Sequence, residues 1–247
     1  MSGSGASGNK RRRFYCNPLP QTGEVEIGDS EAHHLLHVLR IKVGQSIELF
    51  DGQNHQATAD VIQIGKRTVI ARIDRWDPVS SELPTRLKIA VAMPKGDRQQ
   101  FMVEKLVELG CTELWPIQYQ RSNAKMETKT IDKWRRYVLE ASKQCGRNQL
   151  MEIHSPTTSR ELFSETSGSV AWVADPTAVL PLTPSVSNAE TLIAIGPEGG
   201  FTPEEIQWAE SSKWQRGHLG PRILRLETAA MVVAARSGLS ADGFETR

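Results

Sequence analysis

The 247-residue chain carries 30 basic and 29 acidic residues, a formal net charge of +1, so bulk charge announces no polyanionic partner and only a local segregation of cations would do so. Its 3 cysteines, Cys16, Cys111 and Cys145, are odd in number, far apart and without a C-x-x-C pair, which argues against a disulfide framework or a zinc site and fits a reducing, cytoplasmic interior. No apolar run approaches the roughly 20 residues that span a bilayer, and the basic N-terminal segment lacks the apolar stretch of a secretory signal.

Residues 1–9 are rich in Gly and Ser and are expected to form a disordered tail. Lys10-Arg11-Arg12-Arg13 then runs into Phe14 and Tyr15. That run reads either as a solvated charge cluster or as a phosphate-contacting arm with aromatics available for stacking. From residue 24 to about residue 77 the pattern is mostly of short strands, over Ser46–Phe50, 57–64 and 68–73, with turns at Gly44 and Asp51-Gly52. Residues 31–40 are the exception: Leu35, Leu36, Val38 and Leu39 suit a short helix with one buried face. Several short strands at this spacing suggest a small β-barrel. His33, His34, His37 and His55 lack a Cys or carboxylate cluster at ligand spacing, so no metal is expected, and His37 reads as a packed or capping residue or an RNA contact.

Residues 76–84 hold two prolines and two serines and form the predicted linker. Beyond them the rhythm alternates strand and helix. Strands are expected at 87–93, 113–117, 170–174 and 192–195, with an extended segment at 214–219. Helices are expected at 98–109 (closed by Gly110), 131–145 (closed by Gly146), 203–211 and 228–239. This succession of βα units implies a mainly parallel sheet covered by helices.

The stretch 192–201, Leu-Ile-Ala-Ile-Gly-Pro-Glu-Gly-Gly-Phe, is an apolar run that stops in a glycine turn. Thr202-Pro203-Glu204-Glu205 then opens a helix: Thr202 as N-cap, Pro203 first in the helix, two acids in its first turn. Strand, glycine turn and helix N-terminus form the local architecture of a ligand site at the carboxyl edge of an α/β sheet. Two further turns, Asp175-Pro176 and residues 219–226, fall at the ends of predicted strands and should converge on the same crevice. Neither G-x-G-x-x-G nor G-x-x-x-x-G-K-[ST] is present, so main-chain-rich loops flanked by Ile, Leu and Pro suit an adenine-bearing ligand better than a P-loop phosphate. Arg222 and Arg225 beside the crevice read as partners of a phosphate or carboxylate, or as surface ion pairs. Thr228 reads as a cap of the last helix, with Glu227 favourably placed at its N-terminus. No nucleophilic constellation is visible.

Ile195-Gly196-Pro197-Glu198-Gly199-Gly200 together with Leu219-Gly220-Pro221-Arg222-Ile223-Leu224-Arg225-Leu226-Glu227-Thr228-Ala229 resembles the SPOUT methyltransferases. Within that superfamily the pair is similar to the RsmE family, which methylates N3 of a uridine in small-subunit (16S) ribosomal RNA. Residues 105–110 with Trp115-Pro116-Ile117, the element Gln144-Cys145-Gly146-Arg147-Asn148, and residues 34–40 with Gly44 and Asp51-Gly52 agree, so that the likeness runs from about Phe14 to Leu239. Lys143 stands where the family carries Glu before that Gln, and Met151 where Pro is usual. The resemblance implies an α/β fold class in three parts: a flexible basic tail at 1–13, a PUA-like RNA-binding β-barrel at 14–78, and a parallel-sheet SPOUT methyltransferase domain with a deep trefoil knot at 84–247.

It further implies S-adenosylmethionine as cofactor and a homodimer, with no metal and no membrane. The RNA partner is then small-subunit ribosomal RNA, free or in the assembled 30S subunit. Cofactor contacts are expected from Ala174, Asp175, Ile195, Gly196, Pro197, Gly199, Gly200, Leu219, Gly220, Ile223, Leu224, Leu226 and Thr228. Arg225 is the first catalytic candidate, steadying the uracil anion or a flanking phosphate, and Glu198 the second, as a polar orienting group. RNA contacts are expected from Arg11, Arg12, Arg13, Arg40, Arg121, Arg147, Asn148 and Arg222. Two alternatives stay open: a SPOUT enzyme acting on transfer RNA or a ribose 2′-hydroxyl, and a ribosome-assembly RNA-binding protein without catalysis.

Overall fold

The computed structural model describes residues 12–122, 130–164, 169–183 and 190–239. These fall into two compact units, one within Met1–Ser81 plus Lys143–Gln149, the other within Glu82–Ser142 plus Leu150–Arg247. The expected N-terminal tail, with Lys10 and Arg11, lies outside the described residues.

In the first unit, β1 (Arg13–Tyr15), β2 (Glu24–Ile27), β3 (Ser46–Phe50), β4 (His55–Ile64) and β5 (Val69–Pro78) form a sheet in the order β1-β3-β4-β5-β2. β1 runs parallel to β3 and the other pairs are antiparallel. One face is buried by alternation: Ile47 and Leu49 on β3, Ala57, Ala59 and Val61 on β4, Val69 and Ala71 on β5. β4 and β5 pair over ten residues each through two register shifts, so β5 continues through Trp76 to Pro78, into the stretch predicted as linker. The predicted helix over 31–40 is a five-residue α1 (Asp29–His33) that widens into a π-helical turn, His34–Val38. Leu35 is fully buried, whereas Val38, expected on the same inner face, is 64% exposed because the wider turn rotates it outward. His37 is likewise exposed, its ring 4.7 Å from that of His33.

In the second unit, seven strands follow: β6 (Leu87–Val91), β7 (Glu113–Gln118), β8 (Glu152–Ile153), β9 (Thr157–Thr158), β10 (Val170–Ala174), β11 (Thr191–Ile195) and β12 (Gln215–Gly217). All their pairs are parallel, in the order β12-β10-β11-β6-β7-β8, with β9 also on β7. Helices α2 (Arg98–Glu108), α3 (Ile131–Cys145), α4 (Ser159–Ser164), α5 (Pro203–Ser211) and α6 (Leu226–Leu239) accompany them. A parallel sheet covered on both faces needs strands without a polar side, and all five residues of β11 are buried. Ile193 and Ile195 join one core with Met102, Leu106 and Trp134, while Leu192 and Ala194 join the other with Phe163 and Trp214. The short β8, β9 and α4 escape sequence reading because two to six residues carry too little periodicity.

β12 is gripped from both edges. The Asp175 amide donates to the Gly217 carbonyl on the β10 side. On the other edge the His218 amide donates to the Leu180 carbonyl, and the Leu182 amide to the His218 carbonyl, each at 2.9 Å. The segment leaving β10 therefore lies across the far edge of a strand that comes later in the chain. Only glycine fits beneath it, since a Cβ on Gly217 would stand 2.5 Å from the Leu182 Cα. Gly217→Ala is expected to cost about 1–3 kcal/mol through forced backbone displacement, measured as a lowered midpoint in chemical denaturation.

At the opposite, amino end of the sheet, the buried Glu113 carboxylate receives Arg86 at 2.9 Å, the Trp115 indole at 3.0 Å and His154 at 3.0 Å, with Lys88 at 3.5 Å. Burial pushes its pKa up, but the hydrogen bonds from His154 and Trp115 and the Lys88 charge outweigh it and hold the group at about 2. A carboxylate depressed on folding stabilises above its ordinary pKa and loses that contribution as pH falls through the folded value. The stability gap between the native chain and Glu113→Gln should thus be full above about pH 4.5 and close toward about pH 2, followed by denaturation midpoints across that range.

Candidate functional site

β10, β11 and β12 end level with one another, Ala174 opposite both Ile195 and Gly217. Their following loops therefore leave from one edge and enclose a cavity of about 890 Å³. That volume suits a nucleoside-sized ligand. Ile195, Leu219, Leu224, Leu226 and Ala229 supply apolar wall, and Pro197, Gly199 and Gly200 bring main chain to the surface. Gly200 sits at φ +69°, where a side chain would be strained, and its amide closes the turn on the Pro197 carbonyl at 2.8 Å.

The α5 end of the cavity is built by the predicted cap. Thr202 accepts from the Glu205 amide while the Glu205 carboxylate accepts from the Thr202 amide, a complete capping box. Glu205 is fully buried and also accepts from the Gln120 amide at 2.9 Å, which ties the loop after β7 to this helix. From that loop Arg121 donates to the Gly199 carbonyl at 2.9 Å and to that of Phe201 at 3.3 Å.

Asp175 lines the cavity, but its carboxylate is already engaged. One oxygen accepts from the Thr177 amide at 2.9 Å and hydroxyl at 2.8 Å, the other from Arg216 at 2.6 and 3.1 Å. Burial raises its pKa, and these hydrogen bonds overcome that and lower it on balance. Arg216 also donates to Glu210 at 2.9 Å, and the hydrogen bonds it donates to its two carboxylate partners raise its own pKa. A second guanidinium, Arg98 at the start of α2, lies 3.8 Å from Glu198 and 3.5 Å from the buried Glu227, linking the β11 loop to the first turn of α6. Neither Arg216 nor Arg98 was among the sequence candidates. A buried carboxylate demands a cation, but only the fold says which one.

Twelve of the thirteen expected cofactor contacts line the cavity, as do both catalytic candidates, Arg225 and Glu198. Thr228 does not. The last helix begins at Leu226, two residues before the expected start, so Thr228 is inside the first turn and not its cap, and the Ala229 amide bonds the Arg225 carbonyl at 2.8 Å. Arg222 and Arg225 are exposed at the cavity, and among the described residues neither has an ion-pair partner.

Among the expected RNA contacts, Arg12 and Arg40 are exposed, Arg40 in the left-handed region at φ 49°. The side chains of Arg13, Arg147 and Asn148 are largely covered within their own unit. Arg13 is paired with Glu48 at 2.6 Å, packed over Phe50 and bonded to Asn148. Asn148 is 1% exposed and also donates to Gln56 and to the Val79 carbonyl, while Arg147 is 4% exposed. Among the described residues no group of three or more His, Cys, Asp or Glu is placed to hold a metal ion.

The parallel-sheet unit with its cavity is that of an RNA methyltransferase, and the chain also carries a PUA domain: residues 81–237 match the RNA methyltransferase domain family, and residues 27–74 the RNA methyltransferase PUA domain. A Bacillus subtilis ribosomal RNA small subunit methyltransferase E is 29% identical, covering 92% of this chain and 93% of that protein. A Neisseria gonorrhoeae ribosomal RNA small subunit methyltransferase E, crystallised with S-adenosylmethionine, is 30% identical over 91% of this chain and 95% of its own, with a TM-score of 0.82. A Legionella pneumophila protein assigned as a methyltransferase, also solved with S-adenosylmethionine, superposes at 0.88 with 29% identity, over 94% and 98% of the two chains. This chain belongs to the ribosomal RNA small subunit methyltransferase E family.

Removing Arg216 leaves the buried Asp175 charge with only Thr177. Arg216→Gln is expected to cost about 1–3 kcal/mol, and Asp175→Asn, which keeps the Thr177 geometry, less. Urea denaturation of the two variants beside the native chain checks the order.

Proposed function

We propose that the chain transfers the methyl group of S-adenosylmethionine to N3 of one uridine in small-subunit (16S) ribosomal RNA. The observation that carries this reading is a single cavity in which apolar wall and exposed main chain meet two exposed cations without ion-pair partners among the described residues, Arg222 and Arg225. Ile195, Leu219 and Leu224 with the main chain of the glycine turns fit an adenosyl group, and Arg222 fits a carboxylate or phosphate. S-adenosylmethionine supplies a methyl already activated on a sulfonium, which calls for neither a protein nucleophile nor a metal.

What remains for the protein is to align the uracil and to carry its charge. N3–H of uridine is a weakly acidic imide, so negative charge develops on the ring as the proton leaves. Arg225 lines the cavity and steadies that charge or the adjoining phosphate. Glu198, held near Arg98, orients the ring. Arg98, which also reaches the buried Glu227, keeps the two loops in register while this happens.

The same reading extends to assembly and setting. The grip on β12 from both edges supports the deep trefoil knot of the SPOUT fold. Val179, Leu180 and Ile223, 92%, 67% and 88% exposed on the loops after β10 and β12, are apolar surface that a second copy would cover in a homodimer. The substrate is taken to be cytoplasmic small-subunit RNA, free or in the 30S particle.

Incubation with S-adenosylmethionine bearing a labelled methyl group and small ribosomal subunits lacking the modification, then nucleoside mass spectrometry, should place the label in 3-methyluridine. Label in another nucleoside would retain methyl transfer and discard the uridine assignment. Arg225→Ala should slow single-turnover transfer at saturating RNA by roughly 100-fold while cofactor affinity by calorimetry stays unchanged, and an unaltered rate would remove Arg225 from this role.

A further inference from the structure

The first unit contains a second concavity, a cleft of about 560 Å³ between α1 with its π-helical turn and the β4–β5 hairpin. His33 and His37 line one side, and their rings stand 4.7 Å apart centre to centre at 47°. Lys66 and Arg67 line the other, at the hairpin tip, where the Gly65 amide closes on the Thr68 carbonyl at 2.8 Å. All four side chains are exposed, and among the described residues neither Lys66 nor Arg67 has an ion-pair partner. Glu26 is the one carboxylate in the lining, and the half-buried Leu36 adds apolar surface. The widened turn that presents His37 is of a kind that recurs at functional sites.

We propose that this cleft is a nucleotide-binding subsite for single-stranded RNA, with a phosphate on Lys66 and Arg67 and a base against the His33–His37 pair. The inference rests on the RNA-substrate reading above and adds to it a specific contact surface in the N-terminal unit. Two cations at a hairpin tip offer a fork and a point charge to one phosphate oxygen set. Imidazole faces are stacking platforms for unpaired bases. Glu26 repels a phosphate and so confines it to the hairpin side, leaving its own oxygens for a base N–H or a ribose hydroxyl.

The test uses the full chain and a fluorescein-labelled uridine-rich RNA 12-mer, titrated by anisotropy over a range of salt concentrations. Each lost phosphate contact flattens the log–log salt dependence of single-strand binding by about 0.7. The double variant K66E/R67E is expected to bind at least tenfold more weakly with a flatter slope, at unchanged melting temperature and S-adenosylmethionine affinity. H33A/H37A is expected to bind more weakly with the slope retained, and Arg136→Glu, an exposed cation in the second unit, to bind as the native chain. Native affinity and slope in K66E/R67E would overturn the phosphate assignment, and native affinity in H33A/H37A the stacking. Uridine monophosphate competing as well as the 12-mer would overturn RNA in favour of a free nucleotide. Failure of the native chain to bind RNA while it binds S-adenosylmethionine would defeat the RNA reading itself, whereas native methyl transfer in both variants would defeat the subsite alone.

Discussion

The parallel register of β12, β10 and β11 is the constraint on which the candidate site depends. Ala174 stands opposite Ile195 on one side and Gly217 on the other, so three strand ends finish at one level. β11 is wholly buried and pairs with β10 and β6, so it has no freedom to slip. The three loops therefore leave from one level as a consequence of core packing, and the Leu180–Leu182 bonds to His218 tie two of them further.

Charge is distributed in this molecule by a simple sorting. Cations that compensate interior carboxylates are spent: Arg216 on Asp175, Arg86 on Glu113, Lys143 on Glu31 at 2.7 Å. Those at the mouths of the two concavities, Arg222 and Arg225 in one unit and Lys66 and Arg67 in the other, have no ion-pair partner among the described residues. A chain with a net charge of +1 can in this way still offer concentrated positive surface, because the acids are used inside and beside the first group.

The two positions at which the resemblance leads one to expect other residues are each held by local contacts. Lys143 pairs with Glu31 within the same unit, both side chains about one-tenth exposed. Met151 is 3% exposed and packs into the core with Ile153 and Trp134, where a flexible unbranched side chain fills the available space.

The sequence by itself determined the elements whose signals are local. The Thr202 capping box, α3 from Ile131 to Cys145, and the buried β11 need only periodicity and cap chemistry. The glycine turns marked the site, since a backbone at positive φ such as Gly200 admits few other residues. Tertiary structure decided what depends on partners distant in the chain. Asp175 alone does not announce Arg216, Glu198 does not announce Arg98, and a basic run does not disclose that Arg13 turns inward to Glu48. The π-helical turn and the strand held between β10 and Leu182 are likewise invisible, because each is a compromise imposed by packing on segments whose own propensities are indifferent.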